Sequence, residues 1–159
     1  MNKKLNIEQI DSGYVPFQIR IWFYYGLVDT NQLLLVKCVS DKWVCDWYTI
    51  SFNAGPFKSD TAVTVIKNRN PKHGWAPFIN SLFELKIGEL PDMDKLPGIK
   101  DYIVTEPSGV NVEFAAINRY RLYSYYALNS FADKWWQVKS MSDLLRLIED
   151  EFDFKRLKT

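Results

Sequence analysis

The sequence predicts a single α+β domain in which a meandering, mostly antiparallel sheet of about six or seven strands carries two amphipathic helices on one face. Segments of alternating polarity recur through most of the chain, hairpin-length polar stretches separate most of them, and two other segments have helical periodicity. A chain of 159 residues suits one hydrophobic core, so we expect one domain over residues 1–159. Residues 1–12 lack a clear pattern and are expected to form a loose N-terminal arm.

The clearest strand is "YVPFQIRIWFYY", which begins at Tyr14. Apolar residues occupy every second position from Val15 to Phe23, which indicates that one face of the strand meets the core. Pro16 cannot donate a hydrogen bond to a neighbouring strand, so it favours a sheet edge or the start of a strand over a central position.

Two further strands, "QLLLVKCV" and "WVCDWYTISF", flank a short polar stretch. With residues 41–42 as a two-residue turn, Lys37 lies opposite Asp46, an opposite-charge pair that supports this register. The same register places Cys38 opposite Cys45. We interpret the two cysteines as small buried residues rather than a redox pair, because a hydrogen-bonded hairpin pair has poor geometry for a disulfide.

The middle of the chain changes from strand to helix. A loop is predicted over residues 53–60 and a short strand over residues 61–67. Apolar residues at helical spacing then predict a helix over residues 75–90, with Pro77 in its first turn and Pro91 after its end.

The last third of the chain predicts a hairpin around residues 107–109, a turn at residues 118–119 with a strand from residue 120, and a final helix. That helix is predicted to start at Ser140, with Asp143 in a capping-box position. Its apolar stripe comprises Met141, Leu144, Leu145, Ile148 and Phe152.

Composition argues against several classes of function. The 20 Lys and Arg residues against 19 Asp and Glu leave a formal charge of +1, so nucleic acid is not expected as the main partner. The N-terminus lacks the apolar segment of a leader, and no stretch is apolar enough to span a membrane, so we expect a cytoplasmic protein without membrane contact. With one histidine and two cysteines, we expect neither a metal nor another cofactor.

Aromatic residues make up 16% of the chain, and many lie between residues 118 and 136. Strand alternation places Tyr123 and Tyr125 on the core face of the sheet. Tyr120 and Tyr126 fall on the other face beside Glu113, where they are candidates for a recognition surface or simply scattered exposed rings.

Trp135 and Trp136 are adjacent, so on a helix their side chains point about 100° apart. Both rings therefore cannot enter one core pocket. We expect one ring to cover the sheet or the last helix, and the other to be partly exposed as an edge cover or a partner anchor.

The loop "KNRNPKHG" is the strongest candidate for a polar site. Lys67, Arg69, Lys72 and His73 lie within seven residues, with no acid among them, before a predicted helix N-terminus that favours anions. The loop is thus a candidate anion site, or else a solvated basic loop, because no phosphate-loop glycine pattern accompanies it. The acidic run at residues 149–153 is interpreted as a solvated helix face.

The sequence favours a non-catalytic protein that binds another, unidentified protein, as an inhibitor, an immunity-type protein or a regulatory subunit does. Its candidate partner-binding residues are Tyr120, Tyr126, Glu113, Trp135 and Trp136.

Two alternatives belong to other classes. One is a domain for an anionic or carbohydrate ligand that stacks on tryptophan and is steered by Arg69, Lys72 or Arg121. The other is a hydrolase that uses Glu113 or His73, although no second carboxylate or nucleophile is fixed beside either residue. No catalytic residue is assigned, and the sequence does not predict an oligomeric state.

Overall fold

A computed structural model of the chain describes residue 5 and residues 7–26, 28–55, 58–102 and 108–156. The strands are β1 (Phe17–Tyr25), β2 (Thr30–Val39), β3 (Lys42–Gly55), β4 (Lys58–Arg69), β5 (Ser108–Ala116) and β6 (Arg119–Tyr126). The helices are α1 (Trp75–Glu84), α2 (Leu128–Phe131) and α3 (Trp136–Phe152), with short 3-10 helices at Met93–Lys95 and Ile99–Asp101.

The six strands form one antiparallel sheet in the order β4-β3-β2-β1-β5-β6, which confirms the predicted α+β class. β1 is a central strand, hydrogen-bonded to β2 on one side and to β5 on the other, so of the two positions predicted for Pro16 the structure has the start of a strand and not the sheet edge. Pro16 instead precedes the first strand residue, Phe17, where its missing N–H disturbs no ladder.

The main core lies between one face of the sheet, here called the helix face, and the helices α1 and α3. Phe17, Ile19, Ile21 and Phe23 of β1 belong to this core, as the alternating pattern predicts. All five residues of the predicted α3 stripe are buried in the same core: Met141, Leu144, Leu145, Ile148 and Phe152.

Both long helices differ from their predicted bounds. α3 begins at Trp136 rather than Ser140, and Asp143 does not cap it but pairs with Lys139 at 2.6 Å between Nζ and Oδ2. α1 ends at Glu84 because the chain turns at Lys86, whose φ is 57°. A left-handed residue cannot continue an α-helix, so the predicted extension to residue 90 is wrong.

The β2–β3 hairpin turns one residue earlier than predicted. Ser40 and Asp41 form the turn with φ values of 48° and 62°, as in a type I′ turn whose twist matches that of the strands. The predicted register is therefore wrong by two residues, and Lys37 faces Val44 instead of Asp46.

Cys38 and Cys45 do not face each other in the observed register. Cys38 lies opposite Trp43, Cys45 lies opposite Val36, and both thiols are free and buried. Burial raises the pKa of the Cys45 thiol well above its ordinary value, so this residue acts as a small apolar side chain.

The β5–β6 hairpin shows the same shift. Its turn lies at residues 117–118, so Tyr123 faces Val112 and Tyr125 faces Val110, two residues away from the predicted partners. An even shift does not exchange the two faces, so Tyr123 and Tyr125 are buried in the main core as predicted, whereas Tyr126, predicted on the other face, packs against the same core.

Two predicted loops are strands. β3 runs to Gly55 and β4 starts at Lys58, so the loop predicted over residues 53–60 is wrong except at residues 56–57, which lie outside the described residues. β5 starts at Ser108, so the turn predicted around residues 107–109 is wrong as well. The rest of that predicted turn, within residues 103–107, lies outside the described residues.

The far face of the sheet, opposite the helices, carries a second apolar cluster that part of the N-terminal segment covers. The buried members of this cluster are Leu5, Trp22, Leu33, Leu35, Tyr48 and Ile50. Ile7 packs against the cluster and Ile10 is only 1% exposed, so the described part of the expected loose arm is packed rather than loose. The Tyr14 N–H donates to the Ala116 carbonyl at 3.1 Å and joins this segment to β5.

Gly13 lies where the N-terminal segment approaches the β5–β6 turn, and we expect Gly13→Ala to be more destabilising than Gly74→Ala. Both glycines have left-handed φ values, 99° and 91°. A Cβ at Gly13 would lie 2.8 Å from the Ala116 carbonyl oxygen, whereas a Cβ at Gly74 would meet nothing within 4 Å. We expect the free energy of unfolding to fall by at least about 1 kcal/mol more for Gly13→Ala in urea titrations. Equal losses in the two variants would contradict this packing.

Candidate functional site

The centre of the far face contains a buried cation, the guanidinium of Arg20. This β1 side chain is 0% exposed, and it faces Glu113 of β5, with 3.5 Å between Arg20 Nη1 and Glu113 Oε2. Burial lowers the pKa of Arg20, and the charge of Glu113 opposes that effect. A buried charge of this kind is tolerated when it is paired and hydrogen-bonded.

Two further groups bind the Arg20 guanidinium. The Glu8 carbonyl of the N-terminal segment accepts a hydrogen bond from Arg20 Nη2. Gln18 can turn its amide oxygen toward Arg20 to accept from Nε at 2.8 Å and from Nη2 at 3.0 Å. Arg20 therefore connects the N-terminal segment to β1 and β5.

The carboxylate of Glu113 is occupied by donors. Trp22 Nε1 donates to Oε1 at 2.6 Å and the Tyr120 hydroxyl donates to Oε2 at 3.3 Å, in addition to the Arg20 pair. Burial raises the pKa of Tyr120, and the Glu113 charge raises it further. Glu113 is thus a structural acceptor on the far face, and no carboxylate of another described residue bonds to it to make an acid–base pair.

Tyr126, the other tyrosine of the predicted recognition surface, is held elsewhere. Its hydroxyl donates to Asp94 Oδ1 at 2.9 Å, and its N–H contacts Met93 Sδ at 3.3 Å. Burial raises the pKa of Tyr126, and the bond to Asp94 adds to this effect. The structure brings Tyr120 to Glu113 but does not bring Tyr126 to either of them.

The candidate anion loop contacts the C-terminal end of α3. Arg69 Nη2 donates to the Phe152 carbonyl, and Lys72 Nζ lies 2.7 Å from Asp153 Oδ1. The negative end of the helix dipole favours cations at this position. Lys67 is exposed and has no such contact among the described residues. The anion site stays a prediction, and two of its cations already bind groups at the end of α3.

His73, the fourth residue of that loop, is bonded to Glu151 of α3. The His73 N–H donates to Oε2 at 3.0 Å, and its ring Nδ1 lies 2.9 Å from Oε1. Burial raises the pKa of Glu151, but the hydrogen bonds from His73 and the charge of Lys72 together outweigh burial and lower it. The acidic run is therefore not simply a solvated face, since Glu151 is 7% exposed.

At the start of α3, one of the two adjacent tryptophans is packed and the other is exposed, as predicted. Trp135 is half-buried against Phe131, with ring centres 5.7 Å apart, and its Nε1 donates to the Pro97 carbonyl at 3.2 Å. Trp136 is 54% exposed, and Lys86 Nζ lies 5.2 Å from its ring centre.

A third ring packs against Trp135. Tyr102 is 43% exposed and packs edge-on against Trp135, with ring centres 5.8 Å apart. Lys134 Nζ lies 3.9 Å from the centre of the Tyr102 ring, within the range of a cation–π contact. We call the rings of Tyr102, Trp135 and Trp136, with the cations Lys86 and Lys134, the aromatic rim.

The sequence did not predict all of the aromatic rim, and it did not predict the Arg20–Glu113 pair. Lys86 lies in the segment predicted as a helix over residues 75–90, and Tyr102 lies between predicted elements, so no local signal places either residue beside the tryptophans. Lys134 directly precedes Trp135, and a basic residue beside two tryptophans could have been noticed. The Arg20–Glu113 pair could not be found because the pairing of β1 with β5 is not encoded locally.

Within the part of the chain that the structure describes, no three His, Cys, Asp or Glu side chains lie close enough together to hold a metal ion. None of the described helices is long and apolar enough to cross a membrane.

Comparisons with protein-family models, with curated proteins and with solved structures gave no match to this chain.

Glu113→Leu is expected to lower the free energy of unfolding by about 3–5 kcal/mol, because it leaves the buried Arg20 charge without its anion. The double variant Arg20→Met/Glu113→Leu buries no charge and should recover most of that loss. Urea unfolding of the two variants and the wild type measures both effects. A single variant that loses under about 1 kcal/mol, or a double variant no more stable than the single one, would contradict the assigned role.

Acid should weaken the contact between the loop and α3. The pKa of Glu151 is lower in the folded chain than its ordinary value of 4.5, so its contribution is complete above that pH and is lost as the pH falls through the folded pKa. Glu151→Gln should therefore be less stable than the wild type at neutral pH and lose less stability on acidification. Urea unfolding across pH measures this, with Asp150→Asn, an exposed neighbouring acid, as the control. If the free energy of unfolding depends on pH equally in the wild type and in Glu151→Gln, the assigned role of Glu151 is wrong.

Proposed function

We propose that this chain is a non-catalytic protein that binds another protein through the aromatic rim. The observation that carries the proposal is the exposure of Trp136 and Tyr102, each with a lysine ammonium over its ring. Tryptophan and tyrosine are the residues most often found at the energetic centres of protein interfaces.

The rim has the physical properties of a binding surface. Trp135 and Tyr102 pack edge-on against each other and against the buried Phe131, so these rings are already ordered before a partner arrives. Prior order reduces the entropy lost on association. Their remaining exposed area, with that of Trp136, supplies apolar surface for burial.

The cations of the rim favour a partner that carries carboxylates. Lys86 and Lys134 sit over rings rather than in ion pairs with described acids. An acidic group of a partner can therefore pair with them without first breaking a salt bridge, and such pairs favour fast and specific association. An inhibitor, an immunity-type protein or a regulatory subunit would each use a surface of this kind.

The rim keeps part of the surface predicted from the sequence and replaces the rest. Trp135 and Trp136 remain, and Tyr102 joins them. Tyr120, Tyr126 and Glu113 each bond to other side chains of the chain, so they have less to offer a partner.

The other two functions receive less support. The cations expected to steer a small ligand are engaged internally: Arg69 binds a carbonyl of α3, Lys72 binds Asp153, and Arg121 binds the Gly88 and Leu90 carbonyls. For a hydrolase, Glu113 already accepts two hydrogen bonds, from Trp22 and Tyr120, and pairs with Arg20.

Trp136→Ala and Tyr102→Ala should each weaken partner binding by at least about tenfold, because each removes an exposed ring from the contact. The partner is first captured from native lysate with the wild-type chain, then purified and titrated by calorimetry against each variant.

Leu122→Ala is the matched control, since Leu122 is 58% exposed on β6 and lies outside the rim. We expect the control to bind like the wild type. Binding that survives both ring substitutions, or that is lost equally in Leu122→Ala, would exclude the rim as the binding surface.

A further inference from the structure

The two edges of the sheet differ in how far other described segments cover them. At the β6 edge, the Ser124 N–H donates to Asp92 Oδ2 at 3.0 Å and the Tyr126 N–H contacts Met93 Sδ, so a neighbouring segment covers these backbone donors. At the other edge, no described element lies beyond β4 in the sheet. β4 is therefore the edge available for pairing.

The backbone groups that β4 directs outward follow from the ladder. The Val39–Lys42 pair closes the two-residue β2–β3 hairpin, so it is hydrogen-bonded, and bonded pairs alternate from there. Even-numbered residues of β3 thus bond to β2 and odd-numbered ones to β4. It follows that Thr64 bonds to Thr49, whereas Val63 and Val65 turn their N–H and C=O groups away from the sheet.

The side chains along this edge are apolar and exposed. Val63 and Val65 are each 37% exposed and Ile66 is 47% exposed. The run from Ala62 to Ile66 contains no charge and no proline, two of the features with which proteins commonly protect an open edge.

We propose that β4 pairs antiparallel with β4 of a second copy of this chain, about a two-fold axis at Thr64. Val63 then faces Val65 of the second copy, and the outward N–H and C=O groups of these two residues bond to each other. Thr64 faces Thr64 of the second copy, and Ala62 faces Ile66 of the second copy. The contact is isologous, because the two-fold axis repeats each contact between a residue of one copy and a residue of the other, and all residues from Ala62 to Ile66 are uncharged.

Charge is compatible with this register. Lys67 faces Thr61 of the second copy, so the basic ends of the two strands lie at opposite ends of the ladder and like charges do not meet. The pairing would join two six-stranded sheets into one continuous sheet. A contact through one strand edge buries less than the roughly 1,200 Å² of a standard interface, so the dimer should dissociate on dilution.

The register can be tested by a cysteine at the two-fold axis. Thr64→Cys places two thiols opposite each other in a non-hydrogen-bonded pair, close enough for a disulfide, while the native Cys38 and Cys45 are buried. Mild oxidation should convert Thr64→Cys to a covalent dimer. Thr61→Cys is the control on the same strand, and its two copies would be about 20 Å apart, too far to react.

Sedimentation velocity of the unmodified protein provides the second test. We expect a species of twice the 18.7 kDa chain mass that dissociates on dilution. Val65→Lys should raise its dissociation constant at least about tenfold by placing charges in the contact, while Val39→Lys, at an equally exposed valine of β2, should leave it unchanged.

Three results would overturn the proposal. They are a monomer at all protein concentrations up to about 1 mM, equal cross-linking of Thr64→Cys and Thr61→Cys, and a dimer that Val65→Lys leaves intact. If the β4 edge instead binds an extended segment of another protein, the purified chain will remain a monomer at all of these concentrations.

Discussion

The guanidinium of Arg20 lies in the middle of the sheet with none of its surface exposed, and the far face is organised around it. Its charge needs an anion and acceptors, which come from Glu113 on β5 and from Glu8 and Gln18. Because these groups belong to separate parts of the chain, satisfying one charge fixes the N-terminal segment against β1 and β5. The same requirement orients Glu113, which then accepts from Tyr120.

Other charged side chains also serve the fold. Arg119 and Arg121 of β6 bind carbonyls in the segment after α1, with 2.7 Å from Arg119 Nη2 to the Gly88 oxygen. Lys72 pairs with Asp153 at the end of α3. Since most of the polar candidates hold elements together, our proposal places the partner on the exposed rings at the start of α3. The proposed function thus follows from the packing: the charged side chains are used within the fold, and the rings are left exposed.

Properties set by local periodicity could be predicted from the sequence, and those set by long-range contacts could not. Alternation fixes the face of a strand residue, so Tyr123 was placed correctly in the core despite a shifted register. Both shifts arose at turns whose last residue, Asp41 or Asn118, adopts a left-handed φ that the polar pattern does not reveal. The bond between His73 and Glu151 joins residues 78 positions apart, and nothing local identifies it.

Amide hydrogen exchange of the wild type and Arg20→Met tests most directly whether this one charge holds the N-terminal segment on the sheet. If it does, the variant will lose protection in residues 7–14 and at the β1–β5 ladder together, while the α1 and α3 amides keep theirs. Unchanged protection in residues 7–14 would contradict the account, because apolar packing alone would then hold the segment in place.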